Sequence, residues 1–267
     1  MNLTFDINNP YYFAFGLTLL AGLCTGIGSI VSLLYKKFNP KFLGIMLGIS
    51  AGVMLYVSFV EIFNKAKTSL ILEYGDRLGY FYTVLGFFIG ILCISIIDKI
   101  LPSHNHCEEI DSSTTNEQKL YRLGLFSALA LAIHNFPEGL ATFISALNDP
   151  SYGISIAFAV AVHNIPEGIA VAIPIYYATK SKRKAFWYSF ISGLAEPVGA
   201  VIGYFVLQQF ISDAVFGIIF SGVAGIMVYI ALNELIPTAR EYAGQKNTTI
   251  GIIIGMLIMA ISLLLFI

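Results

Sequence analysis

The chain carries the stretch His134-Asn135-Phe136-Pro137-Glu138-Gly139 and repeats it as His163-Asn164-Ile165-Pro166-Glu167-Gly168. Both copies lie in long apolar segments. Residues four positions apart share a helix face, so each copy places its His beside its Glu, with the Asn on the flank. Each Pro removes one backbone donor, frees the carbonyl of Ile133 or Val162 and bends the helix. The repeat therefore predicts two helices that present matching polar faces.

The composition around these motifs is typical of a membrane protein. Hydrophobic residues make up 57% of the 267 residues and charged residues only 12%, with a mean hydropathy of +0.79. A soluble domain has about 25% charged residues. The net charge of −1 provides no basic surface for nucleic acid. Three cysteines, Cys24, Cys93 and Cys107, are too few and too scattered for a disulfide framework or a CxxC metal site.

Eight apolar segments are long enough to cross a bilayer, which takes about 20 helical residues. Spans 1 to 8 are predicted over about 11–35, 42–62, 78–97, 123–147, 152–178, 185–209, 214–236 and 248–267. A longer polar loop follows span 3, over about 98–122. We predict an all-α integral membrane fold of eight transmembrane helices in one domain, residues 1–267. The N-terminus lacks the basic flank of a cleaved signal peptide, so span 1 is expected to be retained.

The basic residues predict the orientation of the spans. Most of the 15 Lys and Arg residues lie in the loops after spans 1, 3, 5 and 7. Only Lys65, Lys67 and Arg77 lie in the loop after span 2. Because cytoplasmic loops are enriched in Lys and Arg, the odd-numbered loops are predicted to be cytoplasmic and both termini outside. We expect a multi-pass protein of the cell (plasma) membrane.

Glycines recur at helical spacing in several spans, and we interpret them as positions of close helix packing. The stripes are Gly44, Gly48 and Gly52; Gly86 and Gly90; Gly199 and Gly203; and Gly251 and Gly255.

Three polar residues are predicted to share one depth. His134, His163 and Glu196 each lie 11 residues after the start of their span, and the spans begin on alternate sides. Eleven residues correspond to roughly 16 Å of helix, close to half of a hydrocarbon core of about 30 Å. The three side chains are therefore expected near the middle of the membrane, where an ionisable group indicates a functional site.

The charges at this depth favour cation binding. Glu138, Glu167 and Glu196 would bring three negative charges together, and no Lys or Arg occurs in these spans. Divalent cations would supply the missing positive charge. Imidazole together with carboxylate suits Zn, Fe, Mn, Ni or Co better than Ca or Mg, which prefer oxygen ligands. A polar packing network without metal is the alternative interpretation, and the duplicated, depth-matched set argues against it.

Further polar residues are weaker candidates. Glu61 lies near the outer end of span 2, and Asn233 and Glu234 near the inner end of span 7, where they could mark the two ends of a pathway or simply be solvated. His104 and His106 lie in the acidic loop over about 98–122, as metal ligands or as part of a solvated linker.

The two motifs, followed by Ser192-Gly193-Leu194-Ala195-Glu196-Pro197, resemble the ZIP (Zrt/Irt-like) metal transporter family. The resemblance is most specific in spans 4 to 6 and extends to Asn233-Glu234-Leu235-Ile236-Pro237. It implies a secondary transporter that imports divalent transition metals into the cytoplasm, zinc first, with iron, manganese, cobalt and cadmium as further substrates. It also implies a 3+2+3 arrangement, in which spans 1–3 and 6–8 are inverted repeats around spans 4 and 5.

The resemblance further implies a site for two metal ions, which are the transported substrate rather than a catalytic cofactor. One ion would be held by His134, Glu138, His163 and Glu167, and the other by Asn135, Glu138, Asn164, Glu167 and Glu196, with glutamates bridging. Glu61 and Glu234 would line the pathway. A monomer and a homodimer remain open.

Two other classes of protein fit the sequence less well. An intramembrane metal-dependent hydrolase would need an open zinc site, often in an HExxH motif, which this sequence lacks. The GxSxG pattern over 48–52 lies mid-helix, where a nucleophile elbow cannot form, so we interpret it as a chance match. A nucleotide-driven pump would need a GxxxxGK[ST] loop, which is also absent. The chain is therefore predicted not to be an enzyme.

Overall fold

The computed structural model describes residues 9–34, 39–100, 116–207 and 212–265. Every regular element among these residues is helical, as the composition predicted. The α-helices are α1 Pro10–Leu34, α2 Pro40–Tyr56, α3 Phe63–Tyr74, α4 Asp76–Ile100, α5 Asn116–Asn148, α6 Pro150–Thr179, α7 Lys182–Gly193, α8 Ala195–Leu207, α9 Asp213–Ile230 and α10 Ile236–Leu265. Two π-helical turns, Val57–Ile62 and Ala231–Leu235, join α2 to α3 and α9 to α10.

Short polar residues begin the helices at the predicted boundaries. Asn39 accepts a hydrogen bond from the backbone N–H of Phe42, and Pro40 is the first helical residue of α2. Asp149 caps α6 in the same way, again with a Pro directly after the cap. The side-chain oxygens satisfy N–H groups that have no partner inside the helix, and Pro has no N–H to satisfy.

Among the described residues, six helical segments are long and apolar enough to cross a membrane, against eight predicted. Predicted span 4 forms α5, a helix of 33 residues that is not among these six segments. The polar motif and the Ala, Gly and Ser residues around it lower the mean hydropathy of α5. Predicted spans 7 and 8 fall in one helical segment, Ala214–Leu264, that bends at Gly244. Gly244 has φ 74°, a left-handed conformation that glycine adopts without strain.

The loop predicted after span 2 is mostly helical. The helix continues through the π-helical turn Val57–Ile62 into α3, and Gly75, at φ 77°, is the only residue between α3 and α4. Ala66 and Leu70 are fully buried and lie against Gly217 of α9. Packing on α9 therefore extends the helix beyond the apolar segment on which the span was predicted.

Predicted span 6 is divided in two at Leu194. Pro197 has no N–H, so the carbonyl of Gly193 loses the donor that would continue the helix. The helix restarts at Ala195, directly before Glu196. By contrast, α5 and α6 run without interruption through Pro137 and Pro166.

The helices form two bundles. The first bundle consists of α1, α5, α6, α7 and α8, and the second of α2, α3, α4, α9 and α10. The main contact between the bundles is made by α2 and α6. All nine glycines of the predicted stripes lie against another helix, which confirms their interpretation as packing positions.

Glycines allow α2 and α10 to cross closely in the second bundle. A Cβ on Gly52 would overlap the carbonyl oxygen of Ile252, and a Cβ on Gly255 would overlap that of Ile49. On each helix the glycine and the carbonyl are three residues apart, so the contacts are reciprocal.

The crossing of α4 and α9 repeats this geometry. A Cβ on Gly225 would overlap the carbonyl oxygen of Phe87, and a Cβ on Gly90 would overlap that of Gly222. The spacing on each helix is again three residues. The second bundle thus contains the same reciprocal crossing twice, with different helices.

Candidate metal site

The residues of the two motifs meet Glu196 in the interior of the first bundle. α5 and α6 carry one motif each, and the break at Leu194 places Glu196 in the first turn of α8. The described polar side chains of the two motifs, together with Glu196, are at most 1% exposed; they are Asn135, Glu138, His163, Asn164, Glu167 and Glu196. Six polar side chains at this burial are costly unless they bind one another or a ligand.

The two motifs contact each other directly. His163 Nε2 of the second motif lies 3.1 Å from Glu138 Oε2 of the first. The two polar faces that the repeat predicted therefore meet at this pair of residues. A contact between an imidazole nitrogen and a carboxylate oxygen lowers the cost of burying both side chains.

The asparagines tie the motifs to the helices on either side. Asn164 Nδ2 donates to Glu196 Oε1 and to the carbonyl oxygen of Ala21 in α1, the latter at 2.9 Å. Asn135 Nδ2 donates to the carbonyl oxygen of Ser192 in α7 at 3.4 Å. Both amides are thereby held with their nitrogen toward the flanking helix.

Three carboxylates share this interior. Glu196 interacts electrostatically with both Glu138 and Glu167. Within the described part of the chain, four oxygens of the cluster have no hydrogen-bond partner: Asn135 Oδ1, Glu138 Oε1, Asn164 Oδ1 and Glu196 Oε2. Such oxygens can accept hydrogen bonds or bind a cation.

The described His, Cys, Asp and Glu side chains include no group of three arranged to hold an ion. His163 is directed to Glu138, and Glu196 to Asn164, so these groups satisfy one another. Coordination of metal by this set therefore stays a prediction. His134 belongs to α5, but its side chain lies outside the described residues, as do His104 and His106.

Ser50 is a polar residue of the site that the sequence did not reveal. Its Oγ lies 3.3 Å from the carbonyl oxygen of His163 and 3.5 Å from Glu167 Oε1, and the side chain is fully buried. Ser50 lies on α2, so it joins the second bundle to the site in the first. The sequence signals were a small polar residue in mid-span and the GxSxG pattern over 48–52, which we interpreted as a chance match.

Glu61 and Glu234 each lie in a π-helical turn. Eleven residues separate Glu61 from Ser50, about 16 Å along a helix. Asn233 donates to Asp98 Oδ2 at 3.1 Å, and Tyr229 donates to the same oxygen at 2.9 Å. Asp98 is a further residue at this end that the sequence did not single out.

A small cavity between the two bundles reaches Glu138. Val57 and Met227 line it from the second bundle, and Ile156 and Val160 from α6. Glu138 is the only charged residue among the described residues that line this cavity. The carboxylate that pairs with His163 therefore borders the gap between the bundles.

Comparisons with known proteins agree with the motifs. The sequence matches the ZIP zinc transporter family over residues 98–263. It is 58% identical to the zinc transporter ZupT of Chlorobaculum parvum over 267 aligned residues, which cover 97% of this chain and 100% of the relative. The zinc transporter ZupT of Streptococcus mutans is 58% identical, with 95% of this chain and 97% of the relative covered. The zinc transporter ZupT of Clostridium perfringens is 51% identical, with 98% of this chain and 99% of the relative covered. The hydrolase interpretation finds no support.

Proposed function

Because the chain belongs to the ZIP zinc transporter family and is a multi-pass membrane transporter rather than an enzyme, we propose that it imports divalent transition-metal ions through the buried cluster of the first bundle. Zinc is the main substrate, with iron, manganese, cobalt and cadmium as further ones. The observation that carries the proposal is the burial of three carboxylates, Glu138, Glu167 and Glu196, close together in the interior of the first bundle.

The proposed site holds two ions. Three carboxylates leave three negative charges in a medium where charge is costly, and divalent cations offset them. The partnerless oxygens of Asn135, Glu138, Asn164 and Glu196 favour binding of hard and borderline cations. We assign one ion to His134, Glu138, His163 and Glu167, and the other to Asn135, Glu138, Asn164, Glu167 and Glu196.

The proposed architecture is a single domain, residues 1–267, of eight spans in a 3+2+3 arrangement. Segment Ala214–Leu264 has 51 residues, more than twice the length that crosses a bilayer, and bends at Gly244. α5 is also long enough to cross, at 33 residues. The matching crossings of α2 with α10 and of α9 with α4 are what inverted repeats would produce.

The pathway is proposed to run from Glu61, through the buried site, to Glu234. Glu61 follows Gly52 by nine residues and Glu234 follows Gly225 by nine, so the repeated crossing relates the two glutamates. Each is the second-last residue of a π-helical turn, a feature often found at functional sites. With both termini outside, Glu61 would lie at the entrance and Glu234 at the cytoplasmic exit.

Uptake into proteoliposomes tests the proposal. Purified protein is reconstituted, and entry of Zn, Fe, Mn, Co and Cd is followed with an internal metal-sensitive dye. We expect uptake of zinc, and little uptake of Ca or Mg because imidazole suits them poorly. Protein-free liposomes are the control. Failure of correctly inserted protein to move any of the five transition metals would overturn the proposal.

A further inference from the structure

The two motif helices make matching contacts with the helices that flank them. A Cβ on Gly139 of α5 would overlap the carbonyl oxygen of Glu196, and a Cβ on Gly168 of α6 would overlap that of Thr25 in α1. Gly139 and Gly168 hold the same position in the two motifs. Thr25 of α1 therefore has the same position relative to α6 that Glu196 of α8 has relative to α5.

The reverse contacts obey the same correspondence. A Cβ on Gly199 would overlap the carbonyl oxygen of Phe136, and a Cβ on Gly28 would overlap that of Ile165. Phe136 and Ile165 are also equivalent in the motifs. Gly199 follows Glu196 by three residues, as Gly28 follows Thr25.

The two flanking helices cross each other at equivalent residues. A Cβ on Gly22 would lie 2.6 Å from the carbonyl oxygen of Gly193, and a Cβ on Gly193 would lie 2.5 Å from that of Gly22. Gly22 precedes Thr25 by three residues, and Gly193 precedes Glu196 by three. A local two-fold axis through this crossing therefore exchanges Thr25 with Glu196.

Asparagine contacts extend this correspondence to the polar cluster. Asn164 donates to the carbonyl of Ala21, and Asn135 donates to that of Ser192. Ala21 precedes Thr25 by four residues, as Ser192 precedes Glu196. The first amide hydrogen is thus used identically in both halves of the site.

The second amide hydrogen is used in only one half. Asn164 Nδ2 also donates to Glu196 Oε1. By the same correspondence, the second amide hydrogen of Asn135 would point to Thr25. The Thr25 side chain is fully buried, and its Oγ1 has no partner among the described residues. Thr25 Oγ1 lies only 2.7 Å from where a Cβ on Gly193 would stand, next to the Ser192 carbonyl that Asn135 binds.

From this correspondence we infer that Thr25 is a positioning residue of the metal site. When the ion is bound, the Thr25 hydroxyl accepts the second amide hydrogen of Asn135 and so directs Asn135 Oδ1 toward the transported ion, as Glu196 does for Asn164. Within the described part of the chain, neither Thr25 Oγ1 nor Asn135 Oδ1 has a hydrogen bond that would have to break for this arrangement to form. The inference rests on the proposed function, because it assumes that Asn135 binds the ion.

The chemical difference between Thr25 and Glu196 sets the charge of the site. A carboxylate in both places would bring four negative charges together with Glu138 and Glu167. Threonine keeps the hydrogen-bond acceptor and leaves the site with three negative charges. The ions are therefore held less strongly and can leave toward the exit. Transport requires both binding and release, and the neutral residue favours release.

Conservative substitutions test the positioning role. Thr25→Val keeps the shape and removes the hydroxyl, and Thr25→Ser restores it. Thr18→Val is the matched control, because Thr18 is equally buried on α1 but its hydroxyl donates to the carbonyl of Ala14. Zinc affinity, measured by calorimetry on monodisperse protein, should fall about five- to tenfold in Thr25→Val, as expected for one lost hydrogen bond at a buried polar group. It should stay unchanged in Thr25→Ser and Thr18→Val.

Transplanting the carboxylate tests the correspondence with a gain of binding that misfolding cannot imitate. Glu196→Thr should weaken zinc binding strongly, and adding Thr25→Glu should recover at least part of the lost affinity by returning the third carboxylate from the other half. Equal zinc affinity in Thr25→Val and wild type, or no recovery in a folded double variant, would overturn the inference. Failure of wild-type protein to bind zinc would instead overturn the proposed function.

Discussion

The Nε2 atom of His163 lies 3.1 Å from Oε2 of Glu138, so the histidine of one motif reaches the glutamate of the other. The two residues are 25 positions apart and lie on different helices. Each motif alone has its own His and Glu on one helix face. In the structure, however, His163 of the second motif pairs with Glu138 of the first. A cation bound between α5 and α6 would therefore draw ligands from both motifs at once.

Removing the charge of Glu138 should abolish transport and leave the fold intact. Glu138→Gln keeps the size of the side chain but removes one of three negative charges that offset the ion. Zinc uptake into proteoliposomes should drop to the level of protein-free liposomes, with an unchanged elution profile and helix content. The control is Glu241→Gln, since Glu241 is exposed on α10. Wild-type uptake by a folded Glu138→Gln variant would remove this residue from the site.

Zinc affinity should weaken as the pH falls. Imidazole binds metal only in its neutral form, so protons compete with the ion. Replacing His134 and His163 by Asn removes this competition, flattens the upper part of the pH profile and shifts preference toward harder ions such as Mn. Equilibrium zinc and manganese binding across pH values measures both effects. Superimposable profiles for wild type and double variant would show that neither histidine binds the metal.

Labels at Lys182 and Arg77 should report opposite sides of the membrane. Lys182 begins α7, Arg77 lies in the first turn of α4, and both are exposed. Each is replaced by Cys in a variant whose three native cysteines are changed to Ser. The predicted orientation places Arg77 outside and Lys182 in the cytoplasm. An impermeant maleimide added to intact cells should label only the Cys at position 77, and labelling of both positions would break the proposed topology.

Adding a methyl group at Gly28 should destabilise the protein, whereas the same change at Gly16 should not. A Cβ on Gly28 would overlap the carbonyl oxygen of Ile165 in the second motif, but nothing lies within 4 Å of a Cβ on Gly16. Overpacking at Gly28→Ala costs about 1–3 kcal/mol. Gly16→Ala should be neutral or stabilising by up to about 1 kcal/mol, because Ala favours helix. Thermal unfolding in detergent compares the two variants, and equal midpoints would contradict the close crossing of α1 and α6.

Much of the site could be predicted because its signals are local. His and Glu four residues apart share a helix face in any helix, and a count of residues from the start of a span estimates depth in a bilayer. Those two rules selected Glu138, His163 and Glu196, all of which the structure buries in one cluster. Ser50 escaped them, because a serine in mid-span costs little and its one local pattern, GxSxG, was interpreted as a chance match.

The fold was predicted where composition decides it and missed where packing does. Apolar length predicted the helices, and Asn39 and Asp149 cap α2 and α6 within a few residues of the predicted starts of spans 2 and 5. The sequence-based loop over 63–77 proved helical as far as Tyr74, because Ala66 and Leu70 pack on α9. The break at Leu194 was also missed, although Pro197 in the same predicted span was its signal.

The sequence by itself determined that the chain is helical, that it suits a lipid environment, and that His, Asn and Glu recur in two matching helices. These properties follow from composition and from the 3.6-residue period of the helix. Only the tertiary structure decided which partner each polar group meets. The contacts of His163 with Glu138, Ser50 with His163, and Gly168 with the carbonyl of Thr25 join distant parts of the chain. They depend on how closely two backbones approach, and that distance is set jointly by both helices.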